Sequence, residues 1–207
     1  MNLFISILCM LVCGGYITGT HALQTGDLIF VTEGTSDFSN AIAESTAQAD
    51  SVRIIHVGIL DLSDSQPMVI EASPEHGVRE ICLDDFIEDV KANGNQRILI
   101  KRLSIDFPAQ VAIANARLHI GEPYDWSYLP DNGKMYCSEL VYESYVTHSG
   151  EKIFEAKPMN FKGPDGTIPD FWVNLFAERG EEIPEGVLGT NPHDMSKDDR
   201  LILFRTE

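Results

Sequence analysis

Two side chains whose types could form a nucleophile and its base stand far apart in the sequence. Cys137 lies in the segment Tyr136–Val146, which is predicted to be a helix, and the turn residues Asn132–Lys134 precede it. The cysteine is therefore expected just inside the start of the helix. Unpaired N–H groups and the helix dipole stabilise a thiolate there, and the thiolate is the reactive form of cysteine. A buried structural cysteine is the competing interpretation.

The candidate base, His56, lies in the apolar strand Ile54–Leu62, two residues before Gly58. A histidine in such a strand is either a buried core residue or a functional one, and a glycine two positions on allows another chain or a ligand to approach closely. Glu71 lies on the returning strand of the same predicted hairpin. A carboxylate there can orient the imidazole and stabilise its charged form, and the alternative is that Glu71 points to solvent.

Further candidates lie in the loop and at the helix start around the cysteine. Tyr124 and Asp125 belong to the loop segment GEPYDW, and Ser138 directly follows Cys137. We predict that these three residues contact substrate: aromatic side chains can form a pocket wall, and the tyrosine hydroxyl can help to bind an oxyanion. Ordinary packing of the loop is the alternative for Tyr124 and Asp125.

Several motifs that would indicate other chemistry are missing from the sequence. The six histidines show no H-x-H or H-E-x-x-H spacing, and Cys-x-x-Cys does not occur, so we predict no metal. Glycine-rich nucleotide-binding motifs are also missing, and we predict no cofactor. The lack of G-x-S-x-G disfavours a serine hydrolase of the α/β type.

The charge of the chain excludes one class of partner. The formal net charge is −17, from 32 acidic and 15 basic side chains. Because such a surface repels a phosphate backbone, we predict no nucleic-acid partner, and an anionic membrane surface is disfavoured for the same reason.

The first residues have the pattern of an export signal. The stretch Leu3–Cys13 is almost wholly apolar but too short to cross a bilayer, and Thr20-His21-Ala22 resembles a cleavage site. We predict a signal peptide at residues 1–22, a single domain at residues 23–207, and export to the periplasm or the outside of the cell. Membrane association, a lipid anchor and the oligomeric state are left open by the sequence.

The remaining pattern predicts an α+β domain, because strands and helices are mixed and several connections are hairpins. The predicted elements are strands at residues 26–33, 54–62, 68–72, 78–83, 96–103 and 200–206, and helices at residues 38–47, 83–90, 108–120, 136–146 and 169–180.

Five short segments occur in an order that resembles one known group. They are GDLIF, HVGI, VIEAS, G-x-P-Y-D and YCSELVY, between Gly26 and Tyr142. The chain resembles the circularly permuted papain-like cysteine peptidases related to the NlpC cell-wall hydrolases, and within them the YiiX-like proteins. This resemblance implies a permuted papain-like fold, with a central antiparallel sheet packed against the nucleophile helix.

The resemblance also implies roles and substrates. Cys137 matches the family nucleophile, His56 the base and Glu71 the third polar residue. The expected activity is hydrolysis of an amide bond through a thioacyl-enzyme, with cell-wall peptides as the expected substrates. A lipid acyl hydrolase or acyltransferase is the first alternative, because the permuted group is also similar to lecithin retinol acyltransferase. A non-catalytic module that binds lipid or peptide is the second.

Overall fold

The structure is a computed structural model that describes residues 22–47, 52–92, 94 and 97–206. The predicted signal peptide therefore lies outside the described residues, except for Ala22. No helix among the described residues is both long and apolar enough to span a bilayer.

The described residues form eight strands and six helices. In chain order these are β1 (Leu28–Thr32), α1 (Asp37–Thr46), β2 (Ile54–Asp61), β3 (Met68–Ser73), β4 (Gly77–Cys82), α2 (Leu83–Ala92), β5 (Ile98–Leu103), α3 (Ala109–Leu118), α4 (Cys137–Ser144), β6 (Lys157–Pro158), α5 (Asp170–Arg179), β7 (Leu188–Gly189), α6 (Pro192–Ser196) and β8 (Leu201–Thr206).

Six of the strands form one antiparallel sheet in the order β4-β3-β2-β1-β5-β8, and β6 pairs separately with β7. The predicted α+β fold with a central antiparallel sheet is confirmed. The hairpin of β2 and β3 pairs Ile59 with Ile70, and the hairpin of β3 and β4 pairs Glu71 with Arg79. These registers decide which polar side chains of the three strands can meet.

The sheet separates two apolar clusters. The larger one lies between the sheet and the helices that include α3 and α4, and it contains Phe30, Val57, Leu140 and Tyr145, all fully buried. The smaller cluster lies under α2 and contains Phe86. Burial of large apolar side chains is the main favourable term in folding. Both clusters therefore fix the strands that carry His56 and Glu71 between the two layers of helices.

The turn between β3 and β4 brings a distant loop to the sheet. Gly77 has φ +65°, and a Cβ atom there would lie 2.2 Å from the carbonyl oxygen of Glu122. The N–H of Val78 donates to the same oxygen over 2.9 Å. Because only glycine leaves this space and adopts this φ without strain, the turn fixes the start of the loop that carries Tyr124.

Several segments differ from the sequence-based expectation, including the short strands β6 and β7, which were not predicted. The helix predicted to run to Val146 ends at Ser144, because Tyr145 is extended and its hydroxyl donates to the Gly26 carbonyl over 3.0 Å. Helix α6 was not predicted, although Asn191 caps it by accepting from the N–H of Asp194. Five residues are too few for a recognisable helical period.

Candidate active site

Cys137 is the first residue of α4, as predicted. The preceding Tyr136 is extended, with φ −98° and ψ 167°, so the helix cannot begin earlier. The first N–H groups of a helix have no partner within it, and they lie at the positive end of its dipole. The cysteine is 4% exposed and lines a cavity, which places its sulfur beside these donors and next to space for a substrate.

His56 and Glu71 meet across the hairpin of β2 and β3. His56 Nε2 donates to Glu71 Oε2 over 2.6 Å, and Glu71 is only 3% exposed. Gly58 allows the two strands to pack closely, because a Cβ atom there would lie only 2.7 Å from Val69 Cγ1. Glu71 is therefore buried in the site, and the alternative that it points to solvent is wrong.

Two residues that the sequence analysis did not identify extend this contact. Arg79 Nε donates to Glu71 Oε1 over 2.7 Å, and Arg79 Nη2 donates to Asp89 Oδ2 of α2 over 2.9 Å. Charge-assisted bonds of this kind are stronger than neutral ones. The hairpin pairing of Glu71 with Arg79 was a signal available in the sequence, whereas the contact with Asp89 depends on how α2 packs.

The protonation of this pair follows from its neighbours. Burial alone would lower the pKa of His56, but its interactions with the Cys137 side chain and with Glu71 outweigh that effect and raise the pKa to about 10. Burial would likewise raise the pKa of Glu71, yet the hydrogen bond and charge of His56, with those of Arg79, lower it. The pair is therefore an imidazolium and a carboxylate at neutral pH. Because Nε2 is bound to Glu71, Nδ1 is the ring nitrogen left for the Cys137 thiol.

The ring of His56 is also held by packing. It stacks on Phe86 of α2, with ring centroids 6.2 Å apart and an interplanar angle of 26°. Helix α2 thus supplies both Phe86, which contacts the imidazole, and Asp89, which contacts Arg79. This explains how a helix with no predicted functional role contributes to the site.

Tyr124 lines the cavity that contains His56 and the cavity that contains Cys137, and its contact with substrate stays a prediction. Tyr124 is 7% exposed, and its ring contacts Trp126 and Phe38, with centroids 5.0 and 6.3 Å away. Burial, together with the nearby Tyr128 and Cys137, raises the pKa of Tyr124 well above its usual value. The hydroxyl therefore keeps its proton over the physiological range and can act as a hydrogen-bond donor.

Asp125 is fully buried and interacts with its own loop. Its carboxylate accepts from the N–H groups of Ser127 and Leu129, both over 2.9 Å, and its own N–H donates to the Met135 carbonyl over 3.1 Å. These bonds hold the loop that places Tyr124. Contact between Asp125 and substrate stays a prediction.

Two side chains in the first turn of α4 are buried near the sulfur. Ser138 is fully buried and lines the same cavity as Cys137, and its Oγ has no hydrogen-bond partner among the described residues. Burial is the main cause that raises the pKa of Glu139 to about 8, assisted by the charges of Asp125 and Glu143. The structure thus brings Cys137, His56 and Glu71 together with Tyr124 and Ser138.

Among the described residues, no group of three or more histidine, cysteine or acidic side chains is arranged to hold a metal ion. The thiol, the imidazole and the protonated tyrosine are groups suited to nucleophilic acyl transfer. This arrangement can therefore form a thiolate–imidazolium pair with N–H donors nearby.

Three comparisons with known proteins bear on the family and the fold. Residues 22–204 match the family described as permuted papain-like amidase enzymes, YaeF/YiiX, C92 family. The uncharacterised protein YiiX of Escherichia coli strain K12 is 30% identical over 166 residues, which cover 78% of this chain and 75% of YiiX. A crystal structure titled "metalloprotein yiiX" from Escherichia coli O157:H7 superposes with a TM-score of 0.71 at 24% identity, covering 89% of this chain and 97% of that one.

Proposed function

The chain belongs to the permuted papain-like amidases of the YaeF/YiiX type, and on that premise we propose that it hydrolyses an amide bond with Cys137 as nucleophile and His56 as base. The observation that carries the proposal is the bond of 2.6 Å between His56 and Glu71, with Cys137 beside them at a helix start. A non-catalytic binding module has no need for a charged imidazole held in this way.

The first half of the proposed reaction forms the acyl-enzyme. The Cys137 thiolate attacks the amide carbon while the His56 imidazolium faces it. The oxygen that becomes negative is bound by N–H groups at the start of α4, assisted by the Tyr124 hydroxyl. The C–N bond then breaks, and His56 gives its proton to the departing nitrogen. The result is a thioester on Cys137 and a free amine.

In the second half, water hydrolyses the thioester. Neutral His56 takes a proton from the attacking water, the C–S bond breaks, and the carboxylic acid departs. The thiolate and the imidazolium are then restored. Glu71 stabilises the imidazolium in both halves and keeps Nδ1 directed at the reacting atoms.

We propose amide bonds of peptides, with cell-wall peptides as the first substrates to test. The support is the family's description as amidases and the predicted export signal, and the latter lies outside the described residues. Periplasmic or secreted location is part of the same proposal. Hydrolysis of cell-wall fragments by the wild-type protein, with no release of amine by Cys137→Ala, is the expected result.

Alkylation by iodoacetamide tests the nucleophile without knowledge of the substrate. Cys82, at the end of β4, is the second free cysteine described and serves as an internal control. At pH 7 we expect Cys137 to react at least about tenfold faster than Cys82, and the advantage to disappear in His56→Ala. Equal rates for the two cysteines, or a Cys137 rate that does not depend on His56, would point to the binding module instead.

A further inference from the structure

Two cavities meet at the reacting groups. The first, the His56 cavity, has a volume of about 420 Å³ and is lined by His56, Glu71 and Arg79 among others. The second, the Cys137 cavity, has a volume of about 60 Å³ and contains Cys137 but not His56. Ile55 and Tyr124 line both cavities. A substrate carbonyl that contacts both reacting groups therefore lies between Ile55 and Tyr124 and extends into both cavities.

The chemistry assigns one part of the substrate to each cavity. In the proposed reaction the acyl group becomes bonded to Cys137 Sγ, while the departing nitrogen takes its proton from His56. The acyl group must therefore lie on the cysteine side and the leaving amine on the histidine side. This assignment depends on the proposed function, because it uses the order in which the bonds form and break.

The Cys137 cavity is small and mostly apolar. Its wall consists mainly of aromatic and aliphatic side chains, such as Ile42, Met159, Phe161 and Trp172, and it also includes polar residues, among them Ser138, Asn160, Thr190 and Asn191. A cavity of about 150 Å³ holds one benzene molecule, so a volume of about 60 Å³ has room for about two or three non-hydrogen atoms. An acyl group of that size is a short aliphatic chain or a residue with a small side chain.

Three side chains that line this cavity, Tyr128, Ser138 and Thr190, carry buried hydroxyls that have no hydrogen-bond partner among the described residues. Leaving a buried hydroxyl without a partner is unfavourable. An acyl group that reaches one of these hydroxyls and accepts its hydrogen bond would remove that penalty.

The His56 cavity has the opposite character. It is several times larger, and it includes the charged side chains of Glu71, Arg79 and Asp89 and the buried hydroxyl of Ser73, which has no partner among the described residues. We propose that the enzyme releases a short, mostly apolar acyl group, with about two or three non-hydrogen atoms beyond its carbonyl, from a larger, polar amine. A long fatty acyl chain would extend beyond the Cys137 cavity.

The acyl side can be tested alone with p-nitrophenyl esters that share one leaving group. The full chain is mixed with the acetate, butyrate, hexanoate, octanoate and decanoate esters. The rate of p-nitrophenol release is measured, and the acyl adduct on Cys137 is identified by mass spectrometry after an acid quench. We expect the rate constant for acylation to be highest for acetate or butyrate and at least about tenfold lower for octanoate.

The variant Ile42→Ala enlarges the cavity in a position where alanine favours the helix. We expect this change to move the preferred chain length upward by two or more carbons. Glu44→Ala is the matched control, because Glu44 is exposed on the same helix and should leave the length preference unchanged. An unchanged preference in Ile42→Ala would show that the acyl group lies elsewhere.

The outcomes separate the inference from the proposed function. Acylation of Cys137 that rises with chain length up to decanoate would overturn the size limit and leave the hydrolase intact. No acylation by any ester, in protein whose Cys137 reacts with iodoacetamide, would overturn both. Paired p-nitroanilides of butyrate and alanine distinguish a simple short-chain amide from a small amino-acid residue, and cleavage of either supports the size limit.

Discussion

The two cavities at the site differ in their charged groups, although each contains a buried hydroxyl without a partner among the described residues, Ser73 on the His56 side and Ser138 on the Cys137 side. On the His56 side, the imidazole, Glu71, Arg79 and Asp89 form a continuous series of charge-assisted bonds between 2.6 and 2.9 Å. On the Cys137 side, the wall is mainly aromatic and aliphatic, and the Ser138 hydroxyl has no partner among the described residues.

This difference separates two tasks within one site. Bonds between protein groups fix the orientation and charge of the base before substrate arrives, so the imidazolium needs no rearrangement during the reaction. A polar group left without a protein partner reserves its hydrogen bond for the substrate. Substitutions around the His56 cavity are therefore expected to have larger effects than a substitution in the Cys137 cavity.

The largest effect is expected from Glu71→Gln. It removes the charge that stabilises the imidazolium and leaves Arg79 facing a neutral group, so we expect kcat/KM to fall by about 10²-fold or more. The free energy of unfolding should fall by about 3 kcal/mol, because one partner of a buried ion pair is lost. Urea denaturation and turnover assays measure both quantities.

Glu80→Gln is the control for this change, since Glu80 lies on the same hairpin but pairs with Arg117. It should keep activity within about twofold. A Glu71→Gln protein with full activity would show that the bond to His56 has no part in the reaction.

Arg79→Met should lower kcat by about tenfold, because Arg79 acts on the imidazole only through Glu71. Arg79 helps to lower the pKa of Glu71, so its loss should move the acidic limb of the pH–rate profile to higher pH. Arg79→Lys keeps the charge but not both bonds and should restore part of the rate.

Arg53→Met is the control, because Arg53 pairs with Glu33 and does not belong to the series of bonds that joins His56 to Asp89. A loss of rate in Arg79→Met with no movement of the acidic limb would indicate that Arg79 only stabilises the fold.

The pH dependence of stability tests whether His56 is charged. The pKa of His56 rises from 6.5 to about 10 on folding. The stabilisation of the folded state by the charged imidazole is therefore complete below about pH 6.5 and is lost as the pH rises through about 10. With Cys137 as the thiolate, folding between pH 6.5 and the free cysteine value of about 8.5 moves a proton from the thiol to His56 without net uptake. The stability of the wild type relative to His56→Gln should therefore fall with pH mainly between about 8.5 and 10, at up to about 1.4 kcal/mol per pH unit. A difference that stays constant from pH 6.5 to 10 would contradict a charged imidazole.

The smallest effect is expected from Ser138→Ala, and it has opposite signs for stability and activity. Removing a buried hydroxyl without a partner should stabilise the protein by about 1 kcal/mol, while acylation by short esters slows by a few fold. Ser144→Ala on the same helix is the matched control, because its hydroxyl donates to the Leu140 carbonyl over 2.6 Å. It should not stabilise the protein or slow acylation. If the two variants behave alike, the Ser138 hydroxyl is not reserved for substrate.

Much of this site could be predicted from the sequence because its signals are local. The turn before Cys137 and the apolar pattern after it specify where a helix begins. The alternating apolar residues and the turn between β2 and β3 specify a hairpin, which brings His56 and Glu71 to neighbouring strands. The antiparallel sheet and the order of most elements follow from the same kind of pattern.

The tertiary structure alone decided the features that depend on contacts between distant segments. Asp89 reaches Arg79 only because α2 packs under the sheet, and Ser138 lacks a partner only because of what surrounds it in the fold. The size of the Cys137 cavity depends on side chains of α1, α5 and the segment near Met159, which are far apart in the chain. Periodicity records which face of an element is buried, but it carries no information on which distant side chains meet there.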